Sequence, residues 1–322
     1  MSAATTGTTP TDAAPRVCVL ASFMYDLVVT APVRPGPGET VVGSSFETFV
    51  GGKGFNQAVA ARRAGAEVGV IGRLGDDSFG EEFRAFLHAE GIAADHVLAD
   101  AGSGTGVGLP VVEDGGQNSI VIVPRANLHV TRHDVAAASG AIAGADVLLV
   151  QLELPMPATL AAVRIAHGSG VRVVLNPAPY QELPADLLAM VDVLVPNEVE
   201  LRQLAHADAD TPVADVATAW WQGRPGALVV TLGSEGVLLL EGDAAPEHVP
   251  ALAVDAVDTI GAGDTFCGNL GARLAAGDPL REAVLRANAA AALSVQRHGG
   301  APSAPRVDEV DHLLGRTDHA LA

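Results

Sequence analysis

The stretch Asp258-Thr259-Ile260-Gly261-Ala262-Gly263-Asp264-Thr265-Phe266 follows the apolar run Val254–Val257 and reads as a helix start. Gly-Ala-Gly lets backbone amides turn inward at a helix N-terminus, where the dipole favours anions. Asp264 falls on that same first turn. A carboxylate beside an anion-binding nest suits phosphoryl transfer: the amides stabilise charge on the phosphoryl group while the carboxylate takes a proton from the attacking hydroxyl. The plainer alternative is a glycine-rich helix start capped by Asp.

Four further features accompany it. Gly51-Gly52-Lys53-Gly54-Phe55-Asn56-Gln57 also opens a helix. Its glycines permit close backbone approach, and Lys53 and Asn56 offer donors to hydroxyl groups. It is not a Walker A loop, because no GxxxxGK[ST] spacing occurs in the chain. Pro196-Asn197-Glu198-Val199-Glu200 follows the strand-like Val193–Val195, at the edge where open α/β sheets bind ligands. A Glu near phosphates acts on Mg²⁺, often through waters. Thr231-Leu232-Gly233-Ser234-Glu235-Gly236 follows another strand, and Glu153 ends one more. Taken singly these are plain turns, a capped helix and a surface acid. Their shared position at strand ends argues for more.

The elements that must position these residues are legible in outline. Val17–Ser22 is a short apolar run that predicts a buried strand. Val28–Thr30, Glu39–Gly43 and Ser45–Val50 predict small antiparallel strands, broken by Pro32, Pro35, Pro37 and Gly38. A small-residue face predicts a helix from Asn56 to Gly65, followed by a strand at Val68–Ile71 and a helix at Phe79–Glu90. Val107–Val112 and Ser119–Val123 flank Glu113-Asp114-Gly115-Gly116, a hairpin signal. Strands at Val147–Gln151, Val171–Leu175, Val193–Val195, Ala227–Thr231 and Val237–Glu241 follow, with helices near 157–168, 184–190, 198–205 and 213–222 between the first four. That alternation implies an α/β fold, a parallel sheet covered on both faces. Helices near 263–276, 279–296 and 307–314 close the chain. Residues 1–15 and 317–322 are expected to be tails, and 16–316 the folded domain. The insertions near 24–50 and 104–125 form one small sheet if they pair in space.

Composition narrows the function classes. The chain has 322 residues, 48% hydrophobic and 18% charged, which excludes a mostly disordered protein. A formal net charge of −19 disfavours nucleic acid and anionic membranes as partners. Two distant cysteines, Cys18 and Cys267, give neither a disulfide framework nor a zinc spacing. With no signal-peptide pattern, the expected location is the cytoplasm.

The GGKGxNQA block, NPAP at Asn176–Pro179, PNExE, TLGSxG and DTxGAGDTF, in this order, resemble the ribokinase branch of the PfkB carbohydrate kinases from about Val17 to Pro305. The resemblance implies a three-layer α/β/α body with a β lid, ATP as donor and the 5-hydroxyl of a free pentose, D-ribose or 2-deoxy-D-ribose, as acceptor. It makes Asp264 the base, with Gly261, Ala262 and Gly263 as the anion hole. Met24, Asp26, Gly52, Lys53, Asn56, Glu153 and Asp264 would meet the sugar. Asn197, Thr231, Gly233, Gly236, Gly263 and Asn288 would line the nucleotide site. Glu200 would orient Mg²⁺ through water, and Asp258, the Ile260 carbonyl and Ser303 would sit beside K⁺. Dimerisation through the lids is implied as well.

The chain departs from that pattern at two places. Ribokinases usually carry Asn where this chain has Met24, near the sugar 2-hydroxyl. Met cannot donate a hydrogen bond, so the reason to demand that hydroxyl is gone, and deoxyribokinases look similar here. Equally, Met24 fills a gap in the lid. Arg125 stands where glycine is common, either as positive charge near the sugar or as a surface residue. The rival readings are a nucleoside kinase, a phosphosugar kinase and a non-catalytic sugar-binding protein. Aromatic residues are 4% of the chain, which counts against stacking a base.

Overall fold

The computed structural model describes residues 14–115, 117–242 and 244–320. Its elements run β1 (Arg16–Leu20), β2 (Met24–Ala31), β3 (Ser45–Gly51), α1 (Lys53–Arg63), β4 (Glu67–Gly75), α2 (Ser78–Glu90), β5 (Ala93–Asp100), β6 (Gly106–Glu113) and β7 (Asn118–Val123). Then come α3 (Arg132–Ala137), α4 (Ser139–Ala143), β8 (Val147–Val150), α5 (Met156–Gly168), β9 (Arg172–Leu175), α6 (Ala185–Leu188), β10 (Val193–Leu194), α7 (Glu198–Ala205) and α8 (Val213–Trp221). The chain ends with β11 (Ala227–Thr231), β12 (Val237–Glu241), β13 (Glu247–Val249), α9 (Ala262–Ala275), α10 (Leu280–Ser294) and α11 (Val307–Ala320).

Nine strands form the main sheet in the order β13-β12-β11-β10-β9-β8-β1-β4-β5. Pairing is parallel from β5 through β11, and antiparallel from β11 to β13. The central strands are apolar on both faces because both faces are covered. Along β1, Val17 and Val19 enter one core with Phe55, Phe83, Leu270 and Val284, while Cys18 and Leu20 enter the other with Val135, Ile142, Ala162 and Val216. The first core is roofed by α1, α2, α9 and α10, the second by α3, α4, α5, α7 and α8. The body is thus the three-layer α/β/α arrangement that the resemblance implied.

The two insertions meet. They form a four-stranded sheet in the order β3-β2-β6-β7, in which β2 and β6 pair in parallel and the flanking pairs are antiparallel. The register sets Met24 opposite Gly106 and Asp26 opposite Gly108. Successive strand residues face opposite ways, so Met24 and Asp26 share one face, and Tyr25 turns to the other, where its ring stacks on Phe79 at 4.2 Å.

Some expectations need correction. Glu39–Gly43 is not a strand. The Glu39 carboxylate accepts the Gly36 amide at 2.9 Å, which fixes a turn there. β5 and β13 were not expected. β5 is an edge strand whose sequence, AADHVLAD, is mostly polar or small, and β13 is three residues long beside Pro250. α11 continues past the expected end near 314 to Ala320, so the backbone at 317–320 is helical. Its Gly315 costs about 1 kcal/mol of helix propensity, which does not stop a helix that holds no proline. Most of the expected N-terminal tail, residues 1–13, lies outside the described residues, as do 321 and 322.

Candidate active site

Asp264 occupies the first turn of α9 and is 7% exposed. Both of its oxygens are held by side-chain amides from α1. Asn56 Nδ2 donates to Oδ2 at 2.9 Å and Gln57 Nε2 donates to Oδ1 at 3.1 Å. The two helices come close enough because of Gly268: a Cβ there would stand 2.4 Å from the Gln57 carbonyl oxygen. Asn56 Oδ1 is buried without a partner among the described residues, so it is a free acceptor for a ligand hydroxyl.

The turn before α9 is shaped for an anion. Gly261 sits at the helix N-cap with φ 74°, and a Cβ there would lie 2.7 Å from Gly300 Cα. Only glycine suits that position. The first amides of a helix lack intrahelical partners. Ala262 N–H, expected in the anion hole, already donates to Thr259 O at 3.3 Å. The Gly261 and Gly263 amides have no such bond among the described residues, and a Cβ built on Gly263 meets open space.

Two adjoining cavities meet at this turn. The larger, about 450 Å³, is lined by Thr231, Gly233, Gly236, Gly263 and Asn288, together with small apolar residues. Asn288 Nδ2 also donates to Pro250 O at 2.8 Å, which anchors the loop along its wall. The smaller, about 240 Å³, is lined by Lys53, Asn176, Asn197, Glu200, Thr231, Gly261, Gly263 and Asp264. Thr231 and Gly263 belong to both. The first suits a flat, uncharged group held by shape; the second suits phosphate, metal and acid chemistry.

The electrostatics agree. Burial pushes the Lys53 ammonium down, but Asp264, Glu153 and Glu200 outweigh it and leave the group above its ordinary value. Burial pushes the Glu200 carboxyl up, aided by Asp264 and opposed by its bond to the Asn197 amide and by Lys53. Asn197 and Glu200 form a capping box on α7: Asn197 Oδ1 accepts Glu200 N at 2.8 Å and Glu200 Oε2 accepts Asn197 N at 2.9 Å. This leaves Glu200 Oε1 without a hydrogen bond among the described residues, as a hard-cation site through water requires.

Glu153 does more than end a strand. Its Oε2 accepts Ser22 Oγ at 2.5 Å and Lys53 N at 2.9 Å, and Ser22 Oγ accepts Gly54 N at 3.1 Å. An acid therefore caps the N-terminus of α1, which begins beside Gly52 and carries both Asp264 partners. In the lid, Asp26 projects between Gly51 and Gly108, close enough that a Cβ on Gly108 would lie 2.1 Å from Oδ1. Burial, then repulsion from Glu153, raises its carboxyl to about 6. Met24 is 7% exposed, with Sδ 3.4 Å from Asn127 Nδ2.

Asp258 ties two loops: Oδ1 accepts Ile260 N and Oδ2 accepts Gly299 N, each at 2.9 Å. Ser303 Oγ donates to Gly300 O at 2.7 Å. These groups are all oxygens, the donor type a monovalent cation takes. Arg125 does not point to a sugar charge. Its backbone has φ 48°, and its guanidinium donates to Thr105 O at 3.0 Å with Asp77 at 3.9 Å. It ties together the two ends of the β6–β7 insertion.

Gln57, Asn176, Gln151, Ser22 and Asn127 stand within or beside the sequence segments above with no role assigned to them. The available signal was a polar residue directly after an apolar strand, as at Gln151 and Asn176.

Residues 14–306 match the profile of the pfkB family carbohydrate kinases. The chain is 38% identical over 307 residues to the ribokinase of Schizosaccharomyces pombe, covering 92% of this chain and 96% of that one. It is 32% identical over 301 residues to the deoxyribokinase of Salmonella typhi, covering 92% and 98%. The structure of Arabidopsis thaliana ribokinase complexed with ribose and ATP superposes with a TM-score of 0.87 at 30% identity, covering 94% and 99%. An acid and anion nest at the meeting of two cavities, on this fold and with these relatives, make the chain a member of the pfkB carbohydrate kinase family, an ATP-dependent sugar kinase.

Proposed function

We propose that the protein transfers the terminal phosphoryl group of ATP to the 5-hydroxyl of D-ribose. The observation that carries this is the placement of Asp264, pinned by two amides beside the free Gly261 and Gly263 amides where the cavities join. Asp264 takes the hydroxyl proton, the two amides and Lys53 stabilise charge on the transferring group, and the lid excludes water. The nucleotide base lies in the larger cavity against Gly233, Gly236 and Asn288. Glu200 would hold Mg²⁺ through water, and Asp258, Ile260 and Ser303 would hold K⁺. Those ions would neutralise phosphate charge in a chain of net charge −19.

One observation favours 2-deoxy-D-ribose as a second acceptor. Met24 shares the lid face of Asp26 and offers a 2-hydroxyl no donor and only a weak thioether acceptor, which already faces Asn127 Nδ2. ADP release with ATP over a panel of pentoses, hexoses and nucleosides tests both readings. Turnover on ribose, or on both pentoses, is expected; turnover on none would return the protein to the class of sugar-binding proteins.

The lids are proposed to pair in a homodimer. Ile120, Val121, Ile122 and Val123 on β7 are exposed, and pairing would cover that edge. Sedimentation that gave a monomer at micromolar concentration would contradict this. Both cysteines are free and buried, which suits a reducing cytoplasmic location, and among the described residues no helix is long and apolar enough to cross a membrane.

A further inference from the structure

A carboxylate on a short side chain turns easily, because its terminal torsion is broad and roughly two-fold. One hydrogen bond to one oxygen leaves the carboxylate plane free to swing. At Asp264 the second bond comes from Gln57, a residue that is 1% exposed. The Gln57 amide is itself oriented. Gln151 Nε2, just past β8, donates to Gln57 Oε1 at 2.6 Å, which turns the Gln57 NH₂ toward Asp264. Gln57 Nε2 also donates to Asn176 Oδ1 at 3.3 Å, just past β9, and Asn176 Nδ2 donates to Val195 O at 2.8 Å, just past β10. The base is thereby referenced to the carboxyl ends of three neighbouring sheet strands.

We infer that Gln57 is a positioning residue for phosphoryl transfer, fixing which Asp264 lone pair faces the acceptor hydroxyl, with Gln151 and Asn176 holding Gln57 in turn. The inference rests on Asp264 being the base. Gln57 is not among the residues that line either cavity, so it acts through the acid. Misplacing a reacting group by about 1 Å costs on the order of 100-fold in rate.

Three variants test this. Gln57→Met keeps the length and removes the amide; kcat should fall about 10- to 100-fold while the KM values for sugar and ATP stay within about threefold. Gln57→Glu sets a second carboxyl against Asp264 Oδ1, so one of the pair is driven to higher pKa. The acidic limb of the kcat–pH profile should then move to higher pH by about one unit or more. The other charged or titratable groups facing this point are Lys53 on α1, Glu153 after β8, Glu200 on α7 and Cys267 on α9, and none is altered by the change. Gln151→Met leaves the Asp264 contacts in place and should give a smaller loss, about threefold to tenfold, again in kcat. A purely structural role would lower stability without moving the pH limb.

Wild-type kcat in Gln57→Met, or a loss confined to KM, overturns the proposal, as does an unmoved limb in Gln57→Glu. If Gln57→Met fails to fold, Gln57→Glu and Gln151→Met decide. Asp264→Asn separates the two readings. Full activity in that variant removes the base assignment itself. An inactive Asp264→Asn beside an unaffected Gln57→Met removes only the role of Gln57.

Discussion

The floor of the cleft and the lid above it are built differently. On the floor, buried Asp264, Gln57 and Gln151 and half-buried Asn176 form one chain of amide and carboxylate bonds across α1, α9 and three strand ends. In the lid, the Met24 side chain makes one hydrogen bond among the described residues, from Asn127 Nδ2, Asp26 has no hydrogen-bond partner among them, and all six residues of β7 are exposed. Fully bonded buried networks specify one geometry, and their members cannot change singly without leaving polar groups unpaired. The lid carries no such penalty. On the proposed assignment, chemistry would sit where the structure is stiff, and sugar discrimination where one side chain can change without refolding the body.

The largest effect should come from the floor. Asp264→Asn should lower kcat by about 10²- to 10⁴-fold, the range for a lost general base, with ATP affinity nearly unchanged by calorimetry. Comparable activity in the variant would break the contrast at its strongest point. Next is the helix contact that brings Gln57 to Asp264. Gly268→Ala drives a Cβ into the Gln57 carbonyl oxygen and the Ala61 amide nitrogen, at 2.4 and 2.9 Å. Overpacking of this kind costs about 1–3 kcal/mol, which urea unfolding would read, and kcat should fall with it.

Lid changes should redistribute specificity instead. Met24→Asn should raise the ratio of kcat/KM for ribose over 2-deoxyribose by about tenfold while leaving Tm within a few degrees. An unchanged ratio would show that the lid does not read the 2-hydroxyl. The smallest effect concerns Asp26. Its folded carboxyl titrates near 6, against an ordinary 3.8, because it is buried and faces Glu153. The folded state then holds the proton more tightly, so the relative stability from Asp26 is present below about 3.8 and lost as pH rises through about 6. Asp26→Asn should accordingly raise Tm at pH 8 and give no gain below pH 4, while KM for the sugar rises. A gain of the same size at both pH values would point to packing and not to charge.

Much of this was legible in the chain. Apolar runs and glycine punctuation gave β1, β4, α2, β8 and the helices α5, α7, α8, α9 and α10 to within a few residues. Asp264, the Gly261–Gly263 turn, Lys53 and Glu200 were found as separate strings, and the structure brings them around one cavity. Other elements gave no local signal. β5 alternates poorly because an edge strand has fewer neighbours to satisfy, and Glu39–Gly43 has strand-like residues but spends its acid on a turn. Arg125 reads in the sequence as an exposed cation; its left-handed backbone and its bond to Thr105 O show a tie between the two ends of the β6–β7 segment.

By itself the sequence determined the elements, the parallel sheet and the acid at a helix start, because these follow from period, punctuation and local capping. Tertiary structure alone decided the pairing of β2 with β6, the commitment of Glu153 to α1, and the bond between Gln57 and Asp264, 207 residues apart in the chain. The reason is physical. Local rules fix how a segment folds, whereas a side-chain bond across two helices depends on how closely they pack, and here that distance is set by one glycine at 268.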